Sequence, residues 1–217
     1  MRSRRERVSA VIKVHDRRLL VATHNPGKVA EYDDILRAAG IEYLTLDEVG
    51  IADDVPETGN TFRENAILKA VAYAKQSGLL TLADDSGLEV DALGGKPGVL
   101  TARYGGPRLT AADRYQLLLR NLAGVPASER TARFHCVVAL AGPDGALLGT
   151  TDGVIEGEIA REPNGQGGFG YDPVFYLSDY GLTMAQLPAD EKHRISHRGR
   201  AALSISPLLK QLLLDLS

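Results

Sequence analysis

At 217 residues the chain is long enough for one generous domain, or two lobes sharing a sheet, with a real core. Apolar residues make up 44% and charged residues 24%, the proportions of a soluble globular protein, and no apolar run approaches the roughly 18 residues that a membrane span needs. The net charge of −3 argues against a surface given over wholly to nucleic acid.

Residues 2 to 18 hold seven Arg or Lys against Glu6 and Asp16. This segment lacks the apolar centre of a secretory signal. Residues 1–17 read as a basic extension without an assigned role, with an extra edge strand expected through Val8, Ala10, Ile12 and Val14. Residues 18 to 23 form the first expected strand. Asn25 as N-cap and Pro26 at the first helical position then open a helix to about Ala39, stopped at Gly40. A second strand is expected over Ile41 to Leu46. Thr61 to Glu64 fits a capping box for a helix to about Ser77, ended by Gly78.

Leu79, Leu80, Leu82 and Ala83 read as a buried strand that finishes on Asp84 and Asp85 and is followed by a short extended piece. A turn follows at residues 94 to 98, then a helix from Thr110 to Leu122. Long strands are expected over 131 to 141 and 146 to 160, joined at Pro143, Asp144 and Gly145. A glycine-dense loop at 165 to 170 leads to a strand through Pro173 to Leu177. Ile205, Leu208, Leu209, Leu212, Leu213 and Leu216 recur at helical spacing, with Pro207 either kinking that helix or restarting it after Ser206. Helices and strands alternate early and strands cluster later, which predicts an α/β protein with a mixed sheet.

Four segments carry chemistry. The turn from the first strand into its helix leaves free backbone N–H groups and the positive end of a helix dipole, which together attract phosphate, and Lys28 in the first turn opposes that dipole unless an anion compensates it. The segment is not a P-loop, because Ala22 and Val29 stand where Gly and Ser/Thr are required. Asp84 and Asp85 point to opposite faces of a strand, so they have different jobs: one to hold a hard divalent ion, the other to orient structure or take a proton. A plain turn cap is the competing reading of the pair. The glycines around Phe169 let backbone approach a ligand while the ring lies on a base, or else form an ordinary hairpin loop. Residues 192 to 200 gather four Arg or Lys with His193 and His197, either an anion site or a solvated helix entrance. Cys136, the only cysteine, reads as a small buried apolar residue, and a reducing, cytosolic setting follows from its solitude.

Together these segments resemble the inosine/xanthosine triphosphate pyrophosphatase family. The resemblance rests on residues 23–28, on Glu57-Thr58-Gly59 with Phe62 and Glu64-Asn65-Ala66, and on residues 83–88. It continues through Gly94, Gly95, Pro97 and Gly98, then Ala102-Arg103-Tyr104, residues 167–173, and Ser196 to Gly199. It covers nearly everything from Leu19 onward in order.

The resemblance implies an elongated mixed sheet flanked by helices, with two lobes and the active site in the cleft between them. It makes residues 18–217 a single catalytic domain. It implies hydrolysis of aberrant purine nucleoside triphosphates (ITP, dITP, XTP) to monophosphate and pyrophosphate, using Mg²⁺, in a cytoplasmic homodimer without membrane or nucleic-acid partners. Asp85 becomes the proton acceptor and a Mg²⁺ ligand, with Glu57 a second ligand. Thr23, His24, Asn25, Pro26, Gly27, Lys28, Ser86 and Lys192 contact phosphate and sugar. Phe169, Gly170, Tyr171 and Asp172 grip the base with His197 and Arg198. Donors from His197 or Arg198 and an acceptor near Asp172 suit a 6-oxo purine and disfavour ATP. A pyrophosphatase for other modified nucleotides and a nucleotide binder without turnover are the rival readings.

Overall fold

The computed structural model describes residues 18–214. The basic residues 1–17, with the strand expected across residues 8 to 14, and Leu216 of the last helix lie outside the described part. An eight-stranded sheet organises the chain. Its strands are β1 (Leu19–Val21), β2 (Tyr43–Thr45), β3 (Leu80–Val90), β4 (Lys96–Pro97), β5 (Thr131–Ala141), β6 (Leu147–Ile159), β7 (Phe175–Leu177) and β8 (Leu182–Thr183). Their order is β2-β1-β3-β5-β6-β7-β8, with β4 paired to β3. β1 runs parallel to β2 and β3, and the remaining pairs are antiparallel. The expected mixed sheet is present.

Parallel neighbours need crossovers, supplied by α1 (Pro26–Ala38) and α2 (Phe62–Ser77). Asn25 caps α1, its Oδ1 accepting from the Gly27 N–H at 2.9 Å. Gly40, at φ +71°, ends it, with the Ile41 N–H returning to the Leu36 carbonyl. α3 (Ala111–Asn121) has a full capping box between Thr110 and Asp113. α4 (Ala189–Ile195) and α5 (His197–Leu214) close the chain.

Three apolar clusters set the shape. One lies between β1, β3 and β5 and the helices α1 and α5, through Tyr32, Leu36, Ile205 and Leu209. The second packs Phe62, Ala66, Ala70 and Tyr73 of α2 against the opposite face. The third sits at the far end of the long strands, where Leu88 and Val90 meet Leu118, Leu122, Phe134 and Phe175. Truncating a fully buried leucine such as Leu209 removes both transfer energy and packing, about 2–5 kcal/mol.

Several expectations are corrected. β3 does not stop at the acids but runs on to Val90, with Asp84 opposite Val138 and Asp85 opposite Val137. Ser86 and Gly87 are therefore strand residues, which removes the competing turn-cap reading of the acidic pair. Gly87 is small because the 98–103 turn packs on the strand there: an added Cβ would lie 2.6 Å from the Gly98 carbonyl and 2.8 Å from the Phe62 ring. The capping box of α2 is half made, since Thr61 accepts from the Glu64 N–H but Glu64 bonds the Asn60 N–H instead. Helix α5 continues through Pro207 without restarting at Ser206. The start of a new helix lies earlier, at Ser196, whose hydroxyl accepts from the Gly199 N–H at 3.0 Å. The basic run at 192 to 200 thus spans a break between two helices.

Candidate active site

A cavity of about 680 Å³ opens where the first turn, the middle of β3 and residues 169–172 come together, a size suited to a nucleotide. It is lined by Thr23, His24, Asn25 and Lys28 from the first turn, Glu57 from the loop before α2, and Asp85 and Ser86 from β3. Phe169, Gly170, Tyr171, Asp172, His197 and Arg198 line it as well. Residues as far apart as 23 and 198 therefore share one cleft. Pro26 and Gly27 sit just behind it: a Cβ on Gly27 would lie 2.7 Å from the Phe169 ring, so glycine lets the aromatic close down on the turn. Lys192 is buried behind the cavity and reaches it through Asp172.

The two aspartates part company as strand geometry requires. Asp84 is buried on the side of α1 and α5. Its Oδ2 lies 3.0 Å from Lys28 Nζ and 3.2 Å from Arg198 Nη2. Arg198 also bonds Glu31 and donates to Ser86 Oγ at 2.8 Å. Glu31 in turn holds Lys192 at 2.7 Å, and Lys192 holds Asp172 at 2.6 Å. Asp172 accepts from the Phe169 N–H at 2.8 Å. Three carboxylates and three cations alternate from the first helix to the aromatic loop, so each charge is compensated inside low-dielectric surroundings. Burial pushes the Glu31 pKa upward, but Arg198 and Lys192 outweigh it and hold the group at about 2. Asp84 is likewise held well below the carboxylate range, with Lys28 and Arg198 overcoming burial.

Asp85 faces the other way. Its Oδ2 accepts from Asn65 Nδ2 at 3.0 Å, its Oδ1 accepts from the Ser86 N–H at 3.0 Å, and Lys69 Nζ stands 3.7 Å off. Burial raises its pKa, Lys69 and Lys28 offset that only in part, and Glu57 adds to it. Lys69 bonds Glu57 at 2.7 Å, and Arg103 approaches the second Glu57 oxygen at 3.5 Å. One carboxylate of the adjacent pair is thus locked as an anion, while its neighbour is shifted toward proton exchange.

Two details of the first turn differ from expectation. Its leading N–H groups are not free, because Asn25 Oδ1 takes those of Gly27 and Lys28. Lys28 is not left for an anion to compensate, because Asp84 already does so. Attraction for phosphate here comes from the dipole and the lysine charge rather than from open amides. Arg198 is also committed, to Glu31, Asp84 and Ser86 at once. His197 stacks on Phe134 at 4.8 Å, keeps Nδ1 buried without a partner, and is held neutral by burial and by Arg198. Cys136 is buried as expected, its Sγ 3.6 Å from Asp84 Oδ2.

Lys69 and Glu31 escaped the sequence reading, and Asn65 entered it only as part of a motif, without a role. The signal for Lys69 and Asn65 was present: residues 65, 69 and 73 recur every fourth position, one stripe of α2, and a buried amide on that stripe needs a polar partner. Among the described residues no three His, Cys, Asp or Glu side chains gather into a metal-binding cluster. Asp85 and Glu57 are nonetheless hard oxygen donors facing one cavity, the pair-plus-phosphate arrangement suited to Mg²⁺, which keeps much of its water.

The sequence model of the Ham1 family matches residues 19–207. The chain belongs to the Ham1 family. This Ham1 chain is 47% identical over 191 residues to the dITP/XTP pyrophosphatase of Bacillus subtilis, covering 88% of this chain and 96% of that protein. It is 50% identical over 183 residues to the dITP/XTP pyrophosphatase of Geobacillus kaustophilus, covering 84% and 89%. The structure of a HAM1 protein from Coxiella burnetii superimposes with a TM-score of 0.80 at 46% identity, over 89% of this chain and 98% of that one. The Ham1 fold, an open mixed sheet flanked by helices, is the one predicted.

Proposed function

We propose that the protein hydrolyses noncanonical purine nucleoside triphosphates, namely ITP, dITP and XTP, to the monophosphate and pyrophosphate. The observation that carries this reading is the split of the adjacent acids: Asp84 is taken up by Lys28 and Arg198 at 3.0 and 3.2 Å, while Asp85 faces the cavity with Lys69 Nζ 3.7 Å away. The names of the Bacillus and Geobacillus relatives support the substrate class. Residues 18–217 then act as one two-lobed catalytic domain.

In this reading Asp85 accepts the proton of the attacking water. A carboxyl shifted toward neutrality is a stronger base than an ordinary aspartate, and such help is worth about 10²–10⁴ in rate. Asn65 and the Ser86 N–H aim its oxygens. Lys28 and Lys69 supply positive charge where negative charge builds on the phosphates, with Thr23, His24, Asn25, Pro26, Gly27 and Ser86 positioning phosphate and sugar. Mg²⁺, held by Asp85 and Glu57 with substrate oxygens, would neutralise phosphate charge when bound. Phe169 lies on the base, while Gly170, Tyr171, Asp172, His197 and Arg198 shape its edge. Lys192 acts at one remove, by holding Asp172. Because Arg198 is committed to Glu31, Asp84 and Ser86, we assign the unpartnered His197 Nδ1 to the purine edge. A lone buried thiol fits cytoplasmic work, and no helix among the described residues is long and apolar enough to cross a membrane. We read the assembly as a homodimer, for which sizing by light scattering is the check.

The deciding experiment incubates the protein with Mg²⁺ and each of ITP, dITP, XTP, GTP and ATP and assays pyrophosphate. Release from the first three well above the last two supports the reading. Turnover of modified pyrimidine nucleotides instead would favour the neighbouring activity, and binding without release would make the protein a nucleotide binder.

A further inference from the structure

The loop that carries Glu57 into the cavity is laid along one stripe of α2. Between Ala52 and Thr58 no backbone group bonds to another backbone group among the described residues. The bonds come from the helix instead. The Gly59 N–H donates to Asn65 Oδ1 at 2.8 Å, Lys69 Nζ donates to Glu57 Oε1 at 2.7 Å, and the Val55 N–H donates to the Tyr73 hydroxyl at 3.2 Å. That hydroxyl in turn donates to the Asp53 carbonyl at 3.2 Å. Loop positions 59, 57 and 55 thus meet helix positions 65, 69 and 73, two residues of loop for every four of helix. The match is one of length, since four helical residues rise about 6.0 Å and two residues of extended backbone span about 6.6 Å. A loop without backbone partners of its own takes its register from these three rungs.

Asn65 and Lys69 also reach Asp85, so changing either disturbs the chemistry directly. Tyr73 differs from them. Its hydroxyl gives both its hydrogen bonds to loop backbone. Its ring is buried in the α2 cluster, lines the cavity, and meets His24 of the first turn edge-on with centroids 6.4 Å apart. Tyr73 therefore stands where the first turn and the Glu57 loop come together. Without the hydroxyl, the Val55 N–H and the Asp53 carbonyl turn to water, and the loop loses the rung that stops it sliding along α2.

We propose that Tyr73 is a positioning residue whose hydroxyl fixes the register of residues 53–57 on α2 and thereby aims Glu57 into the cavity. The inference deepens the nucleotide reading above and rests on it for the role of Glu57. The test compares the full-length wild type with Tyr73→Phe, which keeps the ring in its cluster and removes the hydroxyl alone. Amide exchange of Val55 in the ligand-free protein should quicken about five- to tenfold, the factor expected for one lost hydrogen bond, while the melting temperature falls by no more than about 2–4 °C. In ITP hydrolysis the Mg²⁺ concentration giving half-maximal rate should rise by a similar factor, with kcat at saturating Mg²⁺ within about twofold of wild type. Unchanged Val55 exchange overturns the proposal. Faster exchange with an unmoved Mg²⁺ midpoint also overturns it, by detaching the loop from the aim of Glu57. An equal loss of kcat at every Mg²⁺ concentration, with a strongly lowered melting temperature, assigns the hydroxyl to general stability and overturns it too. A wild type that hydrolyses no nucleotide removes the role of Glu57 and this proposal with it, yet the shift in Val55 exchange would still register the clasp, so the two failures are told apart.

Discussion

Lys69 reaches Asp85 from the helix that also delivers Asn65, its ammonium 3.7 Å from the carboxylate. The same ammonium bonds Glu57 at 2.7 Å, and its charge is one of the two that restrain the burial-driven rise of the Asp85 pKa. Lys69→Met removes that restraint. The acid limb of the kcat/KM profile should then move to higher pH, and turnover at neutral pH should fall about 10²-fold. Lys69→Arg should restore the limb. A lowered plateau with an unmoved limb would limit Lys69 to contacting substrate.

The chain of alternating charges makes a second, thermodynamic prediction. Glu31 is held at about 2 in the folded protein against an ordinary value of 4.5, and Asp84 is held below its ordinary value too. A depressed pKa gives stability that is present above the unfolded value and disappears as pH falls through the folded one. For Glu31 that is roughly 3 kcal/mol, lost between about pH 4.5 and pH 2. Urea denaturation across that window should show the decline, and Glu31→Gln should flatten it while lowering stability at neutral pH. A variant with wild-type acid sensitivity would count against the network.

Gly87 supplies a purely steric test. An added methyl meets the backbone carbonyl of Gly98 at 2.6 Å, and backbone cannot swing aside as a flexible side chain can. Gly87→Ala should therefore cost roughly 1–3 kcal/mol, read as a lowered melting temperature. Because the same contact seats the 98–103 turn next to Arg103 and the cavity, KM should rise with it.

How far the chain could be read in advance follows from what kind of information each feature carries. Helix starts and stops are local: Asn25 before Pro26, and Gly78 after Ser77, did what their chemistry allows within four residues. The extent of β3 is not local. Two adjacent acids look like a chain leaving the core, and only the cations brought by residues 28, 69 and 198 make it possible for the strand to continue through them. The fate of Lys28 was hidden for the same reason, since its partner lies 56 positions away. Most of the cavity lining was legible through motif order, whereas Glu31 and Lys69 were not, because a single charged residue on a helix resembles a solvated one until its neighbours across the fold are known.

The sharpest prediction sets the two adjacent aspartates against each other. Asp84→Asn leaves Lys28 and Arg198 facing a neutral amide inside the protein, the situation in which breaking a buried pair costs about 3–5 kcal/mol. It should unfold at lower temperature. Asp85→Asn behaves oppositely. The raised pKa of Asp85 means that the folded state prefers its protonated form, so ionisation above that pKa costs stability and a permanently neutral amide removes the cost. Its melting temperature should equal or exceed that of the wild type, while pyrophosphate release drops by about 10²–10⁴. Measuring both quantities for both variants separates scaffold from chemistry one residue apart. An Asp85→Asn protein that keeps wild-type turnover would take the base role away from Asp85, and an Asp84→Asn protein of undiminished stability would show that Lys28 and Arg198 have another anion to turn to.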